Sequence, residues 1–143
     1  MKIVYSYYVL DLVHRGHLWM MKNAKAIAGK DGKLVVGILT DEAVMEKKPK
    51  PLLSFDERIE LAAAIRYVDV AVPQETYSPI PNCMKIRPDI LMESASHDEK
   101  DIEEARSVMK KLNGQVIVIP YFPGHSSSGM KEEIKRMSIG KKN

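Results

Sequence analysis

The sequence predicts an α/β fold: a doubly wound sheet of five parallel strands between two layers of helices, a three-layer α/β/α arrangement. Apolar segments of strand length alternate along the chain with segments whose apolar residues have helical spacing. The segment 33–39 is nearly all apolar, which is typical of a strand buried on both faces of a parallel sheet. The 143 residues suffice for one core, and we expect 1–143 to form a single domain.

The first third of the chain begins with a strand over 2–8, which is rich in Val, Ile and Tyr, residues that favour extended backbone. A helix over 17–28 follows, because its apolar residues are spaced for one buried face. The turn 29–32 contains two glycines and leads into the strand 33–39. Thr40 then supplies a cap for a short helix.

The middle of the chain begins with a stiff basic loop, 47–51, that contains three lysines and two prolines. Ser54 and Glu57 then have the spacing of a capping box, which predicts a helix over 55–66. The remaining elements continue the alternation; they are strands over 69–72, 88–92 and 115–120, a helical turn near 82–85, and helices over 97–112 and 126–137.

Composition and charge exclude several classes of partner. The net charge of +3 is mild, and basic residues are not interleaved with aromatic ones, so we expect no nucleic-acid partner. No apolar run reaches the roughly 18 residues of a membrane span, and the N-terminal residues lack the form of a secretory signal, so we expect no membrane partner. The single cysteine, Cys83, is in keeping with a reducing cytoplasm, where we expect the protein to reside.

The motif His14-Arg15-Gly16-His17 lies at the predicted turn from the first strand to the first helix. Two imidazoles three residues apart project from nearly the same face of a helical turn, and Gly16 leaves room for a large group to approach the backbone. The first N–H groups of a helix have no partner within it and carry the positive end of its dipole. The motif therefore predicts a cradle for phosphate, with a pair of surface or capping histidines as the alternative.

Two further loops are predicted to meet this motif at the carboxyl edge of the sheet, where doubly wound folds bind ligands. The basic loop supplies Lys48 and Lys50, and Arg58 lies one turn into the next helix. The serine-rich segment 124–128 precedes the last helix. A solvated loop and ordinary helix caps are the plain alternatives. Together the loops indicate a polyphosphate site that stabilises charge, and no Cys or His pattern suggests a metal held by protein ligands.

These residues resemble the nucleotidyltransferase superfamily that bears the HxGH signature. Within it, the chain is most similar to the small cytidylyltransferases of the glycerol-3-phosphate cytidylyltransferase type and to the cytidylyltransferase-like domains of phosphonate pathways. The resemblance implies a Rossmann-like form of the predicted sheet. It spans nearly the whole chain, and the matching segments are 11–17, 37–42, 54–58, 65–69, 72–76, 88–89 and 124–128.

The resemblance implies transfer of a nucleoside monophosphate, foremost CMP from CTP, to a small acceptor that bears a phosphate or phosphonate, with release of pyrophosphate. It also implies Mg²⁺ bound to the triphosphate, and a homodimer. The implied catalytic residues are His14, His17, Lys50 and Arg58. The implied nucleotide-binding residues are Val9, Leu10, Asp11, Gly16, Lys48, Glu93, Gly124, Ser126, Ser127 and Ser128.

Three places depart from the family's pattern. Tyr8 stands where the family has glycine, the residues Glu-Ser-Ala at 93–95 replace Gly-Asp-Asp, and Tyr121 replaces an arginine. Because these positions bear on the choice of nucleotide, two alternatives remain open. One is an adenylyltransferase that uses ATP, similar to archaeal FAD synthetases or to heptose-phosphate adenylyltransferases. The other is a nucleotide-binding module without catalysis.

Overall fold

The computed structural model describes residues 1–120 and 127–141, with side chains placed for 1–120 and 129–137. Within these ranges five strands alternate with six helices in the predicted order, and no helix there is long and apolar enough to cross a membrane. The strands are β1 (Ile3–Tyr8), β2 (Lys33–Leu39), β3 (Val70–Gln74), β4 (Ile90–Ser94) and β5 (Gln115–Ile119). The helices are α1 (Arg15–Ala28), α2 (Asp41–Met45), α3 (Phe55–Ala64), α4 (Ile80–Ile86), α5 (Glu99–Lys111) and α6 (Ser127–Lys141).

The five strands form one parallel sheet in the order β3-β2-β1-β4-β5. The chain moves outward from the central strand β1 in two passes, first through β2 to β3 and then through β4 to β5. The loops that leave the carboxyl ends of β1 and β4 therefore run in opposite directions and open a crevice, where doubly wound sheets bind ligands. The predicted fold, with its five-stranded parallel sheet, is confirmed.

Side chains that alternate along β1 enter two cores on opposite faces of the sheet. Val4, Met21 of α1 and Ala62 of α3 belong to one core. Tyr5 and Met109 of α5 belong to the other. Helices thus cover both faces of the sheet, as the three-layer prediction requires.

Several element boundaries differ from the prediction, and three of the differences bear on the site or on the edge of the sheet. Helix α1 begins earlier, at Arg15, because His14 is its N-cap. Strand β3 runs on through Pro73, which a strand at the edge of a sheet accommodates. Strand β4 runs further than predicted, so Glu93 lies inside the strand rather than in the loop after it.

A buried polar network ties β1 to the edge strand and to α4. The hydroxyl of Tyr5 donates to Oε1 of Gln74 at 2.6 Å and accepts a hydrogen bond from Nδ2 of Asn82 at 2.9 Å. Gly37 of β2 lies between these strands, and a Cβ there would stand 1.9 Å from the Tyr5 hydroxyl oxygen. The glycine is therefore required by the close approach of a buried side chain, and the network fixes the carboxyl end of β3 in place.

Candidate functional site

The two motif histidines cap the start of α1 reciprocally. Nδ1 of His14 accepts a hydrogen bond from the backbone N–H of Gly16 at 3.0 Å, and Nδ1 of His17 accepts one from the backbone N–H of His14 at 3.2 Å. An imidazole nitrogen that accepts a hydrogen bond carries no hydrogen, so each neutral ring carries its hydrogen on Nε2. The cap thus fixes both tautomers and places an Nε2–H donor on the far side of each ring.

Burial keeps His17 neutral. The rings of His14 and His17 lie with their centroids 4.0 Å apart, and the ring of Tyr8 meets His17 edge-on at 5.9 Å. Burial, and then the positive charge that His14 can carry, lower the pKa of His17 to about 4. At neutral pH His17 is therefore an uncharged hydrogen-bond donor, packed against the tyrosine that replaces the family's glycine.

A strained turn leads from β1 into the motif. Leu10 has a φ of 62°, in the left-handed region that residues other than glycine rarely adopt, and its side chain is buried in the core. The carbonyl of Val9 and the carboxylate of Asp11, on either side of it, are both held by hydrogen bonds. Strain of this kind persists when its surroundings over-determine it. Any contact of Leu10 with a nucleotide would therefore be made by its backbone.

The carboxylate of Asp11 is enclosed by protein groups. It accepts hydrogen bonds from the backbone N–H groups of Leu52 at 2.9 Å and Leu53 at 2.8 Å, and it forms an ion pair with Lys131 of α6. Burial by itself raises the pKa of this carboxyl, but the two amides and the lysine lower it overall. Asp11 thus ties the loop before α3, and α6, to the motif; a direct contact with nucleotide stays a prediction.

The structure places Arg58 differently from the expectation that it binds phosphate. Its side chain is fully buried. Its guanidinium donates to the carbonyls of Val9 and Leu39, both at 2.7 Å, and to the carbonyl of Leu53 at 3.2 Å. It also forms an ion pair with Asp41 at 2.8 Å. Because protein acceptors enclose the guanidinium, Arg58 braces the loops around the site and presents no surface to a ligand in this structure.

The basic loop is tied to α5 at its first lysine. Nζ of Lys47 lies 3.5 Å from a carboxylate oxygen of Asp101 on α5 and 5.0 Å from the ring centroid of Tyr77. Lys48 and Lys50 are exposed and form no ion pair with any residue in 1–120 or 129–137. These two ammonium groups are consequently free to approach an anionic ligand, as their predicted role requires.

The predicted serine-rich segment is described only in part. Two of its predicted residues, and one position that departs from the family's pattern, lie outside the described residues: Gly124, Ser126 and Tyr121. Ser127 and Ser128 stand in the first turn of α6. The ion pair of Lys131 with Asp11 brings the start of this helix beside the histidine motif.

Glu93 belongs to a second polar cluster, at the carboxyl end of β4. Its side chain is buried. The hydroxyl of Tyr7 lies 2.8 Å and 2.9 Å from its two carboxylate oxygens, and Nδ1 of His97 lies 2.5 Å from Oε2. The enclosed carboxylate holds these neighbours. Sequence reasoning missed Tyr7 and His97, although a histidine shortly after the fourth predicted strand was a signal available at the binding edge.

The site offers no carboxylate cluster for a metal ion. Among the residues that the structure describes, no three side chains of His, Cys, Asp or Glu converge. Asp11 and Glu93 are already enclosed by protein hydrogen-bond donors, and Asp41 is paired with Arg58. These residues do not fit a Mg²⁺ ion held by the protein itself; the phosphate oxygens of a nucleotide, with water, are the usual ligands in such sites.

Comparisons with known proteins show the family of this chain. Residues 9–134 match a family model described as cytidylyltransferase-like. The FAD synthase of Korarchaeum cryptofilum is 32% identical over 130 residues, which cover 89% of this chain and 87% of that protein. The bifunctional protein HldE of Hydrogenovibrio crunogenus is 29% identical over 140 residues, which cover 96% of this chain. The chain spans only 28% of the length of that HldE protein.

A solved structure gives the same fold. The lipopolysaccharide core biosynthesis protein of Thermoplasma volcanium superposes with a TM-score of 0.70, over 85% of this chain and 97% of that one, at 24% identity. The family model covers most of the chain, and the Korarchaeum relative matches it along most of both lengths. The chain therefore belongs to the cytidylyltransferase-like family, within the HxGH nucleotidyltransferase superfamily.

Proposed function

We propose that this protein transfers AMP from ATP to a small phosphorylated acceptor and releases pyrophosphate. The observation that carries the proposal is the reciprocal cap of His14 and His17, which holds two Nε2–H donors at the ligand-binding edge of the sheet. Donors fixed beforehand at a helix N-terminus suit the negative charge that grows on a phosphate during transfer.

The choice of ATP over CTP rests on a related protein and not on a contact in the structure. FAD, the product named in the Korarchaeum relative's description, contains an adenylyl group joined to a flavin phosphate, and that relative matches 89% of this chain. This supports the adenylyltransferase alternative over transfer of CMP. CTP remains the second candidate, because the matched family is described as cytidylyltransferase-like. A flavin phosphate or a sugar phosphate is the class of acceptor that we propose.

The proposed reaction is an in-line displacement. An oxygen of the acceptor phosphate attacks the α-phosphorus of ATP, the bond from that phosphorus to the bridging oxygen breaks, and pyrophosphate leaves. His14 and His17 donate hydrogen bonds to the oxygens on which charge accumulates. Magnesium enters with ATP as part of the substrate.

Six further predicted residues fall into two roles. Lys48 and Lys50, both exposed, neutralise phosphate charge, and the N-terminus of α6 binds the terminal phosphates through its first turn at 127–128. Asp11 and Arg58 position the backbone that carries these groups. A homodimer remains our expectation.

Calorimetric titration tests the choice of nucleotide. The protein is titrated with ATP and with CTP, each with Mg²⁺, and pyrophosphate release is then measured with flavin and sugar phosphates as acceptors. We expect ATP to bind at least about tenfold more tightly than CTP, a difference of about 1.4 kcal/mol. The reverse preference would establish the second candidate, and binding of neither nucleotide would overturn both.

The substitution His14→Asn separates capping from catalysis. Asparagine is a good N-cap whose side-chain oxygen can accept from the backbone N–H of Gly16, but it lacks the Nε2–H donor. We expect the thermal midpoint to change little while kcat falls by about 10²–10³-fold, the usual effect of removing one such donor. The exposed neighbour Arg15, changed to Ala, is the control. A His14→Asn protein that turned over normally would refute the catalytic role.

The substitution Arg58→Met tests whether this side chain braces the fold. It leaves Asp41 and the carbonyls of Val9 and Leu39 without their donor, so we expect the free energy of unfolding in urea to fall by about 3–5 kcal/mol. Arg66→Met, at an exposed position shortly after α3, is the control and should cost little. Unchanged stability together with weakened ATP binding would instead support a direct contact between Arg58 and phosphate.

The titration of His17 gives a prediction with a definite sign. Its pKa is lowered from 6.5 to about 4 in the folded protein, so between these pH values the unfolded chain binds a proton that the folded chain does not. Its contribution to stability is therefore full above pH 6.5 and declines as the pH falls towards 4. Imidazole NMR shifts should show a midpoint near pH 4, assigned by their loss in His17→Asn. A midpoint near 6.5 would contradict the burial.

A further inference from the structure

The cluster of Tyr7, Glu93 and His97 lies at the crevice but has no part in the phosphate chemistry. Tyr7 is near the carboxyl end of β1, and Glu93 is near the carboxyl end of the neighbouring strand β4. His97 lies in the loop between β4 and α5. The cluster thus borders the crevice where the two halves of the sheet diverge.

Hydrogen bonding fixes the tautomer of His97. Burial and the Glu93 charge raise the pKa of Tyr7 far above its usual range, so its hydroxyl keeps its proton and donates a hydrogen bond to the Glu93 carboxylate. An ionised carboxylate only accepts hydrogen bonds, so Nδ1 of His97 carries the hydrogen in their 2.5 Å contact. In the neutral ring the lone pair is then on Nε2, the reverse of the arrangement in the capped histidines.

In this tautomer the Nε2 nitrogen of His97 is a hydrogen-bond acceptor. The side chain is 34% exposed. Its hydrogen bonds to the residues in 1–120 and 129–137 all involve Nδ1, and its ring lies tilted against the ring of Tyr7 with the centroids 5.6 Å apart. A lone pair repels the oxygens of an ionised phosphate, which are also acceptors. The nucleoside part of a nucleotide does carry donors, namely the ribose hydroxyls and the exocyclic amino group of adenine or cytosine.

We propose that His97 is a specificity-determining residue whose Nε2 accepts a hydrogen bond from a donor group of the nucleoside. Glu93 and Tyr7 are positioning residues that act through it. This inference rests on the proposed function, and it replaces the expected direct contact of Glu93 with the nucleotide. The ribose hydroxyls and the exocyclic amine can both donate this hydrogen bond. Nucleotide analogues that lack one or the other distinguish them.

The test compares nucleotide affinities in matched variants. The unsubstituted protein, His97→Leu and His97→Gln are titrated with the Mg²⁺ complexes of ATP, 2′-deoxy-ATP, 3′-deoxy-ATP and ITP. The exposed Glu99→Gln, at the start of α5, is the control. We expect the unsubstituted protein to bind one analogue about tenfold more weakly than ATP, the scale of one lost hydrogen bond. His97→Leu should bind ATP and that analogue equally, whereas His97→Gln, whose amide oxygen can accept, should still distinguish them.

The analogue that binds most weakly identifies the nucleoside group that contacts His97. Weak ITP binding assigns the exocyclic amine, and weak binding of a deoxynucleotide assigns the ribose. If CTP is the preferred nucleotide, UTP and 2′-deoxy-CTP serve as the corresponding analogues. The positioning role of Glu93 is read from a double-mutant cycle: Glu93→Gln should reduce discrimination when His97 is present and leave it unchanged in His97→Leu.

The outcomes separate this inference from the function on which it rests. Failure of the unsubstituted protein to bind ATP or CTP overturns the proposed function and this inference together. Binding of ATP with equal affinity for every analogue overturns this inference alone. Discrimination that persists undiminished in His97→Leu does the same.

Discussion

One buried guanidinium holds together the carboxyl edge on which the site is built. Arg58 lies where the backbone of β1 and β2 leaves the sheet, and it donates hydrogen bonds to the carbonyl of Val9, just after β1, and to that of Leu39, the last residue of β2. A buried cation is costly unless it is paired and hydrogen-bonded, and Asp41 completes that pairing from α2. The side chain is therefore committed to the protein, and the turn that leads to the motif starts from a fixed place.

The same constraint explains how a strained turn is maintained. The left-handed backbone of Leu10 lies between two anchored groups, the Val9 carbonyl and the Asp11 carboxylate, while its own side chain is locked in the core. These contacts keep the chain from relaxing. Electrostatic stabilisation of a transition state depends on donors that are oriented before the reaction begins. A rigid entry into α1 supplies that condition for the imidazoles that cap it.

The sequence predicted what local pattern determines and missed what distant contacts determine. The strand and helix alternation, and the spacing of His14 and His17, are readable because neighbouring residues generate them. The partners of Arg58 are different, since the Val9 carbonyl is 49 residues away and only the folded sheet brings it near. The contact of Tyr7 with Glu93 spans 86 residues and two strands, so a carboxylate expected to face the nucleotide proved to be buried.

The hydrogen-bond partner of each histidine determines whether the other nitrogen of its ring donates or accepts. At the start of α1, backbone N–H groups are the partners of His14 and His17, and a group that donates forces each ring to present a second donor elsewhere. Beyond β4, Glu93 is the partner of His97, and a group that accepts forces the ring to present an acceptor. Phosphate oxygens accept hydrogen bonds and nucleosides carry donors, so in the function that we propose the two tautomers suit the two ends of a nucleotide. The hydrogen-bonding character of each part of the crevice thus depends on the group that is bonded to Nδ1 of its imidazole.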